Sequence, residues 1–216
     1  MILAVGDSFT FGHGLADPAG HCWPTVLSRI SGHTVTNTAQ FGASNDYIIR
    51  TAFEQTCEQS YDVVLVQWSE INRIEVYDEE VGEISVSAAN ADKYHHVQPW
   101  IQDYYKYGYN DHLARKRFFT QLLGLQSWFQ QRNQPYLFLI VSLNFRKPLQ
   151  LEEPRYLPLT SQLDSSRILG WRTGLEFVRM YDFENDALPC GHPSEVGHTK
   201  IAYYLYDYTR NLGWIS

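Results

Sequence analysis

Cysteine is scarce: Cys22, Cys57 and Cys190 are the whole complement in 216 residues. An odd count without short spacing excludes a disulfide framework, and a reducing compartment is the simpler expectation. Long apolar runs are missing too, none nearing the ~18 residues of a membrane span. No basic segment with an apolar core precedes the first strand-like run, so a cytoplasmic location is expected, with export as part of a larger particle the alternative. Clustered positive charge is also rare. The 17 basic and 24 acidic residues give a formal charge of −7, which argues against a sequence-independent nucleic-acid binder. The triplet Arg115-Lys116-Arg117 falls in helix-like spacing and reads as a solvated helix face. Around Gly12-His13-Gly14 there is neither Gly-x-Gly-x-x-Gly nor a Gly-Lys-Ser/Thr ending, so no nucleotide cofactor is expected. Cys190, His192 and His198 lack a CxxC or HxxxH partner, so no metal site is expected either.

What the chain does have is enough apolar content, 44%, for one α/β domain over residues 1–216, undivided by any Pro/Gly/Ser-rich linker or repeat. Strand-like and helix-like segments alternate, as a parallel sheet flanked by helices demands. Strands are predicted at Ile2 to Val5, Val35 to Thr38, Val63 to Gln67, Leu137 to Ser142 and Phe177 to Phe183. Helices are predicted at Trp23 to Ile30, Asp46 to Glu58, Leu113 to Gln131 and Ser194 to Leu212, with Pro193 in the first turn of the last.

Gly6-Asp7-Ser8 follows the first apolar run directly. In an open α/β sheet, ligands bind outside the carboxyl ends of strands, so Ser8 would stand at the mouth of a site. Ser8 could equally cap the next helix, and Asp7 reads as a turn and cap residue. The far end of the chain weighs for chemistry: Cys190-Gly191-His192-Pro193-Ser194 is a loop opening the last helix, which leaves His192 able to fold back toward Ser8. A serine hydroxyl is a poor nucleophile unless an imidazole takes its proton as it attacks.

The pair GDS near the N-terminus and HPSxxGHxxIA near the C-terminus resembles the SGNH (GDSL-type) hydrolases, a family of esterases, lipases and carbohydrate deacetylases. The resemblance spans Gly6 to Ala202. It implies a flavodoxin-like three-layer sandwich with a central parallel sheet, and an ester hydrolase with Ser8 as nucleophile, His192 as base and no cofactor. It also implies an oxyanion hole from the backbone N–H groups of Ser8 and Gly42 and one side-chain donor. The family's Gly-x-Asn-Asp block is replaced by Trp68-Ser69-Glu70-Ile71-Asn72-Arg73, so the third donor is Asn72 or Ser69. The family's Asp-x-x-His is replaced as well, because Pro189 stands three before His192. The triad acid is then Asp186, with Asp182 also upstream, or there is a Ser–His dyad oriented by a backbone carbonyl.

Insertions at about 70–110 and 144–173 follow strand ends on the side of the proposed site. The first is aromatic, and Trp100, Tyr104 and Tyr105 are candidate substrate walls, since rings with polar tips suit a sugar surface. The alternative is that these rings pack the insertion onto the core or form a subunit interface. The expected substrate is a short-chain ester, including an O-acetyl group on a glycan. A competing expectation is a protein that kept the fold, lost the chemistry and uses the insertion for recognition. Oligomeric state is open.

Overall fold

The computed structural model describes residues 1–88, 90, 100–140, 154–169 and 185–216; the strand expected over Phe177–Phe183, Asp182, and Tyr94 to Pro99 of the aromatic insertion lie outside them. From the N-terminus run β1 (Ile2–Val5), α1 (Ser8–Phe11), α2 (Pro18–His21), α3 (Trp23–Ser31), β2 (Val35–Asn37), α4 (Asn45–Glu58) and β3 (Val63–Trp68). Then come β4 (Ile74–Asp78), β5 (Gly82–Val86), α5 (Trp100–Asp103), a π-helical turn (Tyr104–Gly108), α6 (Asp111–Gln131) and β6 (Tyr136–Ile140). The described elements end with α7 (Leu157–Thr160), a 3-10 turn (Ser165–Arg167), β7 (Ile168–Leu169) and α8 (Glu195–Asn211).

β1, β3 and β6 are buried at every position. Such runs need cover on both faces, the condition of a parallel sheet. The sheet has the order β2-β1-β3-β6-β7, with all neighbouring pairs parallel. Successive strand residues face opposite ways and so divide the core in two. Leu3, Val5, Val64, Val66, Phe138 and Ile140 pack with Ile48 and Ala52 of α4 and with Phe118, Leu122 and Phe129 of α6. Ile2, Ala4, Val63, Leu65, Leu137 and Leu139 meet Trp23 and Leu27 of α3 and Ile201 and Leu205 of α8. The result is a three-layer α/β sandwich. Each of these large apolar side chains contributes roughly 1.5–3 kcal/mol by leaving water.

This topology fixes where a site can form. The chain leaves β1 for β2 on one side, then crosses to β3 on the other, so a crevice opens at the carboxyl end of β1. Ser8 lies there.

The insertion after β3 is more regular than its sequence suggests. β4 and β5 form an antiparallel hairpin from Ile74↔Val86 to Asp78↔Gly82. Ile74, Val76, Ile84, Val86 and Ile101 make a small separate core against which Tyr104 and Tyr105 pack. The alternation Ile74-x-Val76 and Ile84-x-Val86 is the local signal for that hairpin. In the second insertion, Ile168 and Leu169 add a short strand beside Phe138 and Leu139. The last helix starts later than expected: Ser194 caps it through the Gly197 N–H, and Pro193 pairs instead with Ala187 in an antiparallel bridge. Arg117 departs from the solvated face expected of its triplet, because Nη2 donates inward to the carbonyls of Ile71 and Arg73. Among the described residues no helix is long and apolar enough to cross a membrane.

Candidate active site

β1 ends at Val5, and the chain turns sharply into the one-turn helix α1. Gly6 permits the turn: a Cβ there would lie 2.5 Å from Thr10 Oγ1 and 2.8 Å from Gln67 Oε1. Asp7 is the N-cap, its Oδ1 accepting the Phe9 N–H at 3.0 Å, so Ser8 is the first helical residue and not the cap. Gln67 Oε1, from the adjacent strand, accepts both the Asp7 N–H at 3.1 Å and the Thr10 hydroxyl at 3.0 Å. These contacts over-determine the position of Ser8, which is buried.

His192 arrives on a tight hairpin. The Leu188 N–H donates to the His192 carbonyl at 2.7 Å, the Gly191 N–H to Leu188 at 2.8 Å, and the Ser194 N–H to Asp186 at 2.7 Å. Pro189 occupies the second position of this turn, where its fixed φ favours the bend. The hairpin brings His192 Nε2 to 2.9 Å from Ser8 Oγ, across a sequence separation of 184 residues. The ring is packed by Phe9 at 4.8 Å and by His13 edge-on at 4.8 Å.

Burial, and then the charge of His13, push the His192 pKa below its usual 6.5, against the opposing pull of Asp7 and the Cys190 backbone. The neutral ring is thereby favoured at neutral pH. With Nε2 accepting from Ser8, Nδ1 carries the hydrogen, and it is buried without a hydrogen-bond partner among the described residues. Asp186 does not fill that place: its Oδ2 is taken by Lys200 Nζ at 2.6 Å. His198 sits behind, fully buried, its Nδ1 accepting the Trp23 N–H at 3.1 Å and so tying α8 to α3.

The Ser8 and Gly42 N–H groups have no hydrogen-bond partner among the described residues. Gly42 has φ +75°, a left-handed conformation that a side chain would strain, and a Cβ there would meet open space. Ser69 commits its one hydroxyl proton to Asp7 Oδ2 at 2.7 Å. Asn72 has a buried side-chain oxygen without a partner among the described residues, and its backbone carbonyl accepts from the Tyr105 hydroxyl at 2.8 Å. Tyr105 also reaches the Val86 carbonyl at 2.9 Å, and its burial holds its pKa far above the usual 10. Tyr105 therefore clamps the hairpin to the post-β3 loop. Tyr104 packs edge-on against both Tyr105 and the exposed Trp100.

Sequence reasoning missed three residues here. His13 bridges His192 to the exposed ring of Phe41, 4.2 Å away. Gln67 was legible as the one polar residue inside an apolar strand. Arg73 contacts Asp7 Oδ2 at 3.4 Å and the Ala43 carbonyl at 3.2 Å. Among the described residues no group of three His, Cys, Asp or Glu is placed to hold a metal ion.

A family model described as a family of unknown function, DUF6071, matches residues 13–215. The chain belongs to this family. The matched span includes His192 and begins beyond Ser8. No curated protein matches. Solved structures are similar in fold. A protein assigned to the G-D-S-L lipolytic family from Desulfitobacterium hafniense DCB-2 is 15% identical with a TM-score of 0.58, covering 96% of this chain and 98% of that one. The psychrotrophic esterase EstA from Pseudoalteromonas sp., inhibited by monoethylphosphonate, is 15% identical with a TM-score of 0.56, covering 98% and 97%. A catalytic mutant of Axe2, an acetylxylan esterase from Geobacillus stearothermophilus, is 17% identical with a TM-score of 0.50, covering 100% and 95%. This member of the family thus has the SGNH hydrolase fold, at identities that speak for fold alone.

Proposed function

We propose that the chain is a serine hydrolase that cleaves carboxylic esters through an acyl-serine intermediate. The observation that carries this is the 2.9 Å contact of Ser8 Oγ with His192 Nε2 at the switch point of the sheet. Ser8 Oγ attacks the ester carbonyl carbon while His192 Nε2 takes the hydroxyl proton. The tetrahedral oxyanion is met by the N–H groups of Ser8 and Gly42. When the intermediate collapses, His192 returns the proton to the departing alkoxide, leaving acyl-Ser8 and an alcohol. Water then attacks with His192 again as base, and the acid leaves as the Ser8 hydroxyl is restored. Pro189 stands where the resembled SGNH hydrolases have their aspartate, so the dyad is steadied by the packing of Phe9 and His13 against the His192 ring.

The substrate we propose is a short-chain ester, an O-acetyl group on a glycan being the leading case. The exposed ring of Phe41 beside His13 supports a flat apolar wall for a sugar. One similar fold is that of an acetylxylan esterase. The test is p-nitrophenyl acetate hydrolysis, deacetylation of acetylated xylan, and labelling by a serine-reactive phosphonate, for the native chain and for Ser8→Ala. Hydrolysis and labelling lost together in the variant support the proposal. Their absence in the native chain would leave a binding or structural role, which a His192 Nδ1 without a partner among the described residues favours.

A further inference from the structure

The post-β3 loop lacks the Gly-x-Asn-Asp that the resemblance implies, and of its two alternative donors, Asn72 and Ser69, Ser69 has its hydroxyl proton engaged by Asp7 at 2.7 Å. The same loop carries a stronger donor. Arg73 Nη1 reaches Asp7 Oδ2 at 3.4 Å and the Ala43 carbonyl at 3.2 Å. Asp7 immediately precedes Ser8, and Ala43 immediately follows Gly42. The guanidinium is therefore moored between the two turns whose N–H groups form the rest of the oxyanion hole.

Its anchorage is firm on both sides. Asp7 is buried and also accepts from Phe9 N–H and Ser69, so its carboxylate is a fixed counter-charge. The backbone of the loop is gripped from outside: Arg117 Nη2 holds the Arg73 carbonyl at 2.8 Å and the Ile71 carbonyl at 3.3 Å, and Tyr105 holds that of Asn72 at 2.8 Å. Among the described residues, both contacts of the Arg73 head use Nη1, so Nη2 and Nε keep three N–H donors without a partner there. The Arg73 side chain is one-fifth exposed, open enough to meet a ligand and shielded enough for its charge to count. Its charge also reaches His192, whose pKa it helps to lower.

We propose that Arg73 is the third oxyanion donor of this site, in place of the side-chain amide of the resembled family. This rests on the hydrolase proposed above. A charge-assisted donor is shorter and about twice as strong as a neutral one, and it offers the developing oxyanion a full opposite charge. The buried Asp7 carboxylate keeps the guanidinium in place before substrate arrives, so the stabilisation is preorganised.

Two measurements test it. In steady-state hydrolysis of p-nitrophenyl acetate, Arg73→Gln is expected to lower kcat by about 10²–10³-fold with KM little changed, the signature of a donor used in the transition state. Arg73→Lys, which keeps the charge and loses the fork, should recover part of that loss, and circular dichroism should show both variants folded. A crystal structure of the native chain after a serine-reactive phosphonate is the second measurement. The expected result is a phosphoryl oxygen bonded to the Ser8 N–H, the Gly42 N–H and a nitrogen of Arg73. An adduct on Ser8 whose oxygen meets the two backbone groups and not Arg73 overturns this assignment while leaving the hydrolase standing. So does a kcat loss confined to Asn72→Ala. Failure of Ser8 to label at all sinks both.

Discussion

Lys200 Nζ donates to Asp186 Oδ2 at 2.6 Å, while His192 Nδ1, on the same hairpin, is left without a partner among the described residues. The aspartate nearest to the triad-acid position of the resembled SGNH hydrolases is thus paired with a lysine of α8. Asp186→Asn should lower the melting temperature by a few degrees, since one lost pairing of a buried carboxylate is worth on the order of 1–3 kcal/mol. kcat/KM for p-nitrophenyl acetate should stay within about threefold, far from the roughly 10⁴-fold loss that follows neutralising a working triad acid. A loss of that larger size would return Asp186 to the machinery.

Ser8 and His192 act as one unit in this scheme. Ser8→Ala and His192→Ala should each reduce kcat by at least about 10³-fold, and the double variant should be no worse than the poorer single one. Additive losses in the double variant would mean that the two side chains work independently.

The pH profile should carry the His192 signature. Its pKa is depressed, chiefly by burial, so the neutral base persists to lower pH than in a free imidazole, and kcat/KM should rise with pH through a midpoint below 6.5. His13→Gln removes the neighbouring ring whose electrostatic effect lowers the His192 pKa. The ascending limb should then move to higher pH. A limb that stays in place would show that His13 does not couple to the base.

His198 gives the fold its own acid sensitivity. Burial, with a smaller effect of His192, pushes its pKa down from 6.5 to about 4. Below pH 6.5 the unfolded chain takes up a proton at this residue that the folded chain refuses, so stability falls as pH drops toward about 4. The full effect is roughly 3 kcal/mol. Urea unfolding at about pH 5 and about pH 8 should show the loss, and His198→Gln, which retains an acceptor for the Trp23 N–H, should flatten it. An unchanged pH dependence in the variant would place the acid sensitivity elsewhere.

A parallel sheet flanked by helices was legible in the sequence. β1, β3 and β6 are largely apolar and α3 and α8 carry apolar stripes, and these periodicities are local properties that fit a covered parallel sheet, while the three-layer sandwich came from the family resemblance. Ser8 and His192 were legible as candidates because each stands at an element boundary beside glycine or proline. The β4–β5 hairpin was not read from the sequence, because the surrounding aromatics obscure the alternation of its apolar residues. Only the tertiary structure decided who meets whom: His192 with Ser8, Asp186 with Lys200, Ser69 and Arg73 with Asp7. A polar side chain takes whichever partner the folded backbone brings within about 3 Å, and groups from distant elements compete for it, so no local spacing can record the outcome.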